Sequence, residues 1–382
     1  MKAEHNAKLM LVGLGNLGSI VLELLARIEP SIEVVVGSRN PQLSESRCRL
    51  LRLGALAQGC ELGIRVIHMD LNDVSATAET IDREKPAIIF STATMSTWWL
   101  PDLLPPEKST PVRNAGFGVW LPVHLAPTLD LMRAVKLSGH RGFTITAPFP
   151  DVVNCMLGKV GLAPTCGIGN VAEMAPKLQQ LAAGALGLRV AQVRVSLVAH
   201  HALERYVFRD RMPEPGEEVP PFLAAVYAQE TDVTSRLDCR SLLLSPYALT
   251  EGTATHFLTA GATVRLIHAL CGSSSTKLHV PAPCGLPGGY PVRVDREGIE
   301  LDLEGFSRDE AIAVNERSHR FDGVEQILPD GTAVIEEEGS AALRSLIGFA
   351  PDRVTIADAR MQATELVERY RAFAGGHGVR TE

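Results

Sequence analysis

Three groups of residues in this 382-residue chain have types and spacings that could do chemistry: the run Gly13-Leu14-Gly15-Asn16-Leu17-Gly18, the dipeptide Ser38-Arg39, and the paired histidines His200-His201. The glycine run can cradle a phosphate. Gly13 permits a tight turn, Gly15 lets an anion approach the backbone, and Gly18 lets a helix pack closely on the preceding strand. The helix that opens at Asn16 and Leu17 would then aim its N-terminus at that anion.

The flanking residues supply the elements this requires. The apolar run Leu9–Val12 predicts a strand, and Ile20, Val21, Leu24, Leu25 and Ile28 have the spacing of one helix face. A second apolar run, Ile32–Val36, completes a βαβ unit, so the glycines are expected to hold the pyrophosphate of a dinucleotide. A site that prefers NAD usually carries Asp or Glu at the end of the second strand. Here Gly37-Ser38-Arg39-Asn40 stands instead, and Glu33 is poorly placed to serve. Ser38 can donate to a 2′-phosphate and Arg39 can pair with it, so NADP (NADPH) is the expected cofactor.

Composition narrows the class. With 46% apolar and 21% charged residues, the chain has the balance of a soluble globular protein long enough for two cores. A net charge of -7 argues against nucleic acid as a partner, and no apolar stretch reaches the ~20 residues that span a bilayer. The start MKAEHNAK carries Glu4 and runs straight into the glycines, unlike a secretory signal. Seven cysteines, at 48, 60, 155, 166, 239, 271 and 284, form no CxxC pair, which suits reduced thiols in a cytoplasm.

Further along, Leu43–Leu62 predicts a helix carrying Arg47, Arg49 and Arg52, and Ile64–His68 a third strand. Asp70, just beyond, lies either near an adenine pocket or, with Asn72, at a helix N-cap. After a helix over Val74–Glu84, a strand ending at Phe90 delivers Ser91 and Thr92 to the sheet edge where ligands bind in open α/β folds. The proline-rich connection Met95–Pro111, with Trp98 and Trp99, is expected to be a lid or an oligomer contact. A helix over Asn114–Ser138 and a strand over Gly142–Ala147 follow, then a short helix past Asn154, a turn at Asn170 and a helix over Ala172–Leu186. Strand Val193–Val198 delivers His200 and His201; a long helix begins near Thr253.

The expected architecture is α/β. An N-terminal Rossmann doubly wound parallel sheet occupies residues 1–153, a mixed α/β substrate and dimerisation domain 154–374, and a flexible tail 375–382.

Several short pieces, taken in order, resemble the lactate/malate dehydrogenase superfamily. Asn114-Ala115-Gly116 is similar to the family's Asn-Ala-Gly, and Thr146-Ala147-Pro148 with Asp151 to its Thr-Asn-Pro-x-Asp turn. Gly167-Ile168-Gly169 with Glu173 resembles its Gly-x-Gly…Leu-Asp segment, and Ala199-His200-His201-Ala202 its Gly-Glu-His-Gly. The N-terminal third, with Ser38-Arg39 and Asp70, looks more like saccharopine-dehydrogenase-type NADP domains. The resemblance implies a dehydrogenase in which His201 gives a proton to a carbonyl oxygen as hydride arrives at carbon, supported by Glu173, with His200 in that role if the register differs by one.

Two departures bear on the substrate. Where the family has a carboxylate-binding arginine this chain has Pro176, followed by Lys177, and the lid offers Trp98 and Trp99 rather than an arginine. The expectation is therefore a fairly large, partly apolar small molecule lined by Trp98, Trp99, Asn154, Asn170, Thr253 and Arg205, the last either a replacement charge or a surface ion-pair residue. Three alternatives stand beside this one. They are a saccharopine-like condensation of an amine with a keto acid, a metal- and NAD-dependent glycosidase using Cys166 and His200, and a non-catalytic NADP(H) sensor. The apolar lid and long helices also predict a homodimer.

Overall fold

Strand β1 (Lys8–Val12), helix α1 (Asn16–Ile28) and strand β2 (Glu33–Ser38) form the first βαβ unit of the computed structural model, which describes residues 7–29, 31–250 and 252–378. The starting MKAEHN, Pro30, Glu251 and the last four residues lie outside the described residues. The unit continues through α2 (Pro41–Leu56), β3 (Ile64–His68), α3 (Val74–Glu84) and β4 (Ile88–Ser91). Next come α4 (Pro106–Asn114), α5 (Leu121–Ser138), β5 (Phe143–Thr146), α6 (Pro150–Lys159) and β6 (Cys166–Gly167). The strands pair in parallel in the order β3-β2-β1-β4-β5-β6. The order reverses between β1 and β4, and the carboxyl ends flanking that switch point form the ligand crevice of a doubly wound sheet.

The second half opens with α7 (Val171–Leu186), β7 (Val193–Val198), the one-turn α8 (Glu204–Val207), β8 (Leu223–Ala228), β9 (Thr231–Asp232) and α9 (Cys239–Leu244). It continues with α10 (His256–Cys271), β10 (Thr276–Pro281), β11 (Gly289–Asp295), β12 (Gly298–Leu301) and α11 (Arg308–Ser318). Strands β13 (Val324–Ile327) and β14 (Ala333–Ile335), helix α12 (Glu337–Ile347), strand β15 (Arg353–Val354) and helix α13 (Ala359–Gly376) close the chain. Among the described residues these strands form three small antiparallel sheets.

The two halves share cores. On one face of the parallel sheet Met10 and Val12 pack with residues of α5 and with Leu366 and Tyr370 of α13. On the other face Leu9 and Leu11 pack with α1 and with Val264 and Ile267 of α10. Helix α13 thus buries its apolar face against the parallel-sheet half.

Several boundaries differ from expectation. The connection after Met95 is not a continuous loop: a 3₁₀ turn spans Leu100–Leu103, and α4 starts at Pro106, where proline's fixed φ and missing N–H suit a first helical turn. Asn114 ends α4 rather than starting the next helix. The long helix expected near Thr253 begins at His256, with Thr253 in the 3₁₀ turn before it. The N-cap of α3 is Asp73, while Asp70 accepts from the Asn72 N–H in a turn.

Candidate active site

The glycine turn is built as its spacing requires. Gly13 has φ +86°, a conformation that disfavours a side chain, and its carbonyl accepts a bond from Thr92 Oγ1 at 3.0 Å, tying β1 to the end of β4. Gly15 is the N-cap of α1, no side chain caps it, and a Cβ on it would meet nothing within 4 Å. The first turn of α1 also carries no acidic residue, so its N–H groups face open space suited to an anion. Asn16 is exposed and Leu17 half-buried there.

At the end of β2, Ser38 Oγ donates to the Asn40 carbonyl and accepts from Ser44 Oγ at 2.7 Å, so its hydroxyl is already engaged. Arg39 is exposed and makes no hydrogen bond or ion pair among the described residues. Ser91 is buried at the switch point, where its Oγ accepts from the Ala93 N–H.

From Thr92 the chain leads toward the histidines. Thr94 Oγ1 lies 3.0 Å from His124 Nδ1, and the His124 ring stacks on Phe117 at 5.5 Å. Phe117 in turn lies 5.0 Å from the His201 ring and Phe149 lies 5.5 Å from it. Burial holds His124 neutral, with its pKa pushed down to about 3.

His201 follows β7, whose end is fixed by a reciprocal pair of backbone bonds between Ala199 and Gly289. Its N–H donates to Asp151 Oδ2 at 2.5 Å, and its Nδ1 lies 2.8 Å from Asp322 Oδ2. Burial opposes a charged ring, but the neighbouring carboxylates, Asp322 foremost, outweigh it and push the His201 pKa up to about 10. Its side chain keeps 24% of its surface exposed. His200 differs: it is fully buried, and its Nδ1 accepts from the Ala202 N–H, which leaves that imidazole neutral and structural.

The carboxylate that orients His201 is therefore Asp322, not Glu173. Glu173 accepts from Thr259 Oγ1 at 2.6 Å and hydrogen-bonds Glu204, and it reaches His201 only through space. Burial raises both glutamates above the usual carboxyl range. Asp322 closes a 3₁₀ turn before Gly323, and Gly118 presses against that turn: a Cβ on Gly118 would stand 2.8 Å from the Asp322 carbonyl oxygen and 2.7 Å from that of Gly323.

Other expected residues divide between the cleft and the core. Trp98, 43% exposed, sets its ring edge-on to His256 at the start of α10; Trp99 and Thr253 are half-buried. Asn170 carries φ +53° just before α7, and its buried side-chain amide nitrogen has no hydrogen-bond partner among the described residues. Asn154, by contrast, is fully buried and accepts from Thr146 Oγ1, so it braces α6 against β5. Arg205 is exposed, its guanidinium lying over the Tyr206 ring at 4.9 Å. Lys177 is committed elsewhere: its buried ammonium donates to the carbonyls of Val207, Leu243 and Ser245, each at 2.7 Å. Cys166 is fully buried in the sheet, and burial raises its thiol pKa.

The strand order, glycine turn and mixed second half define a Rossmann-type α/β fold followed by an α+β portion. Among solved structures the chain is similar to malate dehydrogenase from Plasmodium falciparum in complex with NADH, at 14% identity and a TM-score of 0.53 over 82% of this chain and 95% of that one. It is likewise similar to lactate dehydrogenase from Eimeria maxima with NADH and oxamate, at 14% identity and TM-score 0.54 over 84% and 93%. Malate dehydrogenase from Cryptosporidium parvum gives 14% identity and TM-score 0.56 over 83% and 96%. No family model matches the sequence, and neither does any curated protein. At this identity the likeness is one of fold.

Proposed function

We propose that the chain is an NADP-dependent oxidoreductase that moves hydride to or from a carbonyl or imine carbon, with His201 as the proton donor. The observation that carries the reading is the His201–Asp322 pair, joined to the glycine turn through Thr92, Thr94, His124 and Phe117. The uncapped α1 N-terminus and the open space beside Gly15 fit a pyrophosphate. The unpaired Arg39, with no acid at the end of β2, suits a 2′-phosphate.

When bound, the nicotinamide supplies the hydride. The protein supplies the rest. Asp322 occupies His201 Nδ1 and keeps the ring charged, so the Nε2 proton is the one to give, and the ring recovers it from solvent through its exposed edge. Phe117 and Phe149 pack beside the imidazole and limit water there. Trp98 beside His256 offers an apolar rim, and Lys177 is sequestered, so a neutral or partly apolar substrate suits the cleft better than a small 2-hydroxy acid.

The test is a fluorescence titration with NADPH and NADH on the wild-type chain and Arg39→Ala, followed by a carbonyl and imine screen. Tighter NADPH binding that is lost in the variant is expected. Binding of neither cofactor would overturn the proposal.

A further inference from the structure

We infer that Arg47, from the second turn of α2, is a second ligand of the dinucleotide 2′-phosphate and sets the preference for NADP jointly with Arg39. The inference rests on the oxidoreductase reading above and extends it to a residue that sequence alone leaves as one of several polar arginines on a helix.

Residues three apart on a helix lie side by side. Ser44 of α2 is buried and its hydroxyl donates to Ser38 at the end of β2, so this edge of the helix lies over the carboxyl end of that strand. Arg47 is the next residue along the same edge. Its Nη1 donates to the carbonyl oxygen of Leu14, the residue between the first two glycines of the turn. The guanidinium thus stands between the strand end that carries Ser38 and Arg39 and the turn that faces the pyrophosphate. In this architecture the adenosine ribose lies there.

The charge balance at this point is one-sided. Arg47 makes no ion pair among the described residues, because the nearest acid on its helix, Glu45, is held by Arg52 at 2.8 Å and Arg49 at 3.8 Å. Arg39 is likewise unpaired, and no Asp or Glu occurs between Glu33 and Glu45. Two guanidiniums therefore flank one strand end without a counter-charge. A ribose diol leaves them uncompensated, whereas a phosphate accepts from both forks. The bond to Leu14 uses one of the five N–H donors of Arg47, so the others remain for that phosphate.

The test uses the full chain, titrated with NADPH, NADH and adenosine 2′,5′-bisphosphate. Arg47→Gln removes the charge and leaves a shorter, neutral amide in its place. It is expected to weaken NADPH and the bisphosphate by roughly 10- to 100-fold, the size of one or two charge-assisted bonds, and to leave NADH unchanged. The salt dependence of NADPH binding should become shallower in the same variant. An unchanged preference for NADPH, or equal weakening of NADPH and NADH, would overturn the inference and reduce Arg47 to a tie between helix and turn. Failure of the wild-type chain to bind either dinucleotide would instead overturn the oxidoreductase reading itself.

Discussion

Asp322 Oδ2 lies 2.8 Å from His201 Nδ1 although 121 residues separate the two in sequence. The same carboxylate oxygen is 3.4 Å from His200 Nδ1, but that nitrogen accepts a backbone N–H, so the proton shared with Asp322 belongs to His201. Burial would raise the Asp322 pKa, yet the His201 charge more than offsets this and lowers it. The two groups stabilise each other's ionised forms.

Asp322→Asn should therefore discharge the imidazole. With its main counter-charge removed, burial governs, and the His201 pKa should fall from about 10 by at least ~2 units, as read from the imidazole C–H resonances in an NMR pH titration. The sign for stability follows. The raised pKa of His201 contributes stability below the ordinary histidine range that is lost as pH rises toward 10, and the lowered pKa of Asp322 contributes stability that is lost in acid. Turnover, once a substrate is in hand, should fall by roughly 10²- to 10⁴-fold. A His201 resonance that titrates as in wild type would show that Asp322 does not hold the ring.

Asp151→Asn separates a buried charge from the hydrogen bond it accepts. Burial pushes the Asp151 pKa up to about 7, so the folded state holds this proton where the unfolded state has lost it, and stability falls as pH rises from about 4 to about 7. An asparagine still accepts from the His201 N–H but carries no charge. Relative to wild type, the variant should gain roughly 2–3 kcal/mol between pH 5 and pH 8 in urea unfolding. Parallel stability curves for the two proteins would show that Asp151 carries no such penalty.

Gly118→Ala tests how the Asp322 turn is seated. The added methyl would press on two backbone carbonyl oxygens that cannot swing aside as a side-chain end would. A loss of roughly 1–3 kcal/mol in stability is expected, together with a lower His201 pKa as Asp322 is displaced. An alanine variant as stable as wild type, with an unchanged imidazole titration, would mean the turn has room to move.

Legibility in the sequence followed how local each feature is. The glycine turn, β7 and α3 are set by residues next to one another, and their positions could be read from spacing and turn chemistry. Asp322 could not. It lies in a single 3₁₀ turn ahead of strands of four, three and two residues, too short for a period to appear, and an acid before Gly323 reads as an ordinary turn. Its partner is chosen by tertiary packing. Glu173 stands where the resemblance places the orienting aspartate, and the structure gives it to Glu204 and Thr259 instead. The prolines after Met95 read as loop residues, although Pro106 starts α4.

Lys177 is in effect a tethered inorganic cation. Three carbonyls at 2.7 Å surround its ammonium as they would a desolvated monovalent ion, and the lysine stem anchors that ion to α7 while it joins the ends of α8 and α9. A charge spent in this way cannot also greet an anion. Lys177 therefore presents no free cation from α7, and any selectivity for a charged ligand must be written by other residues.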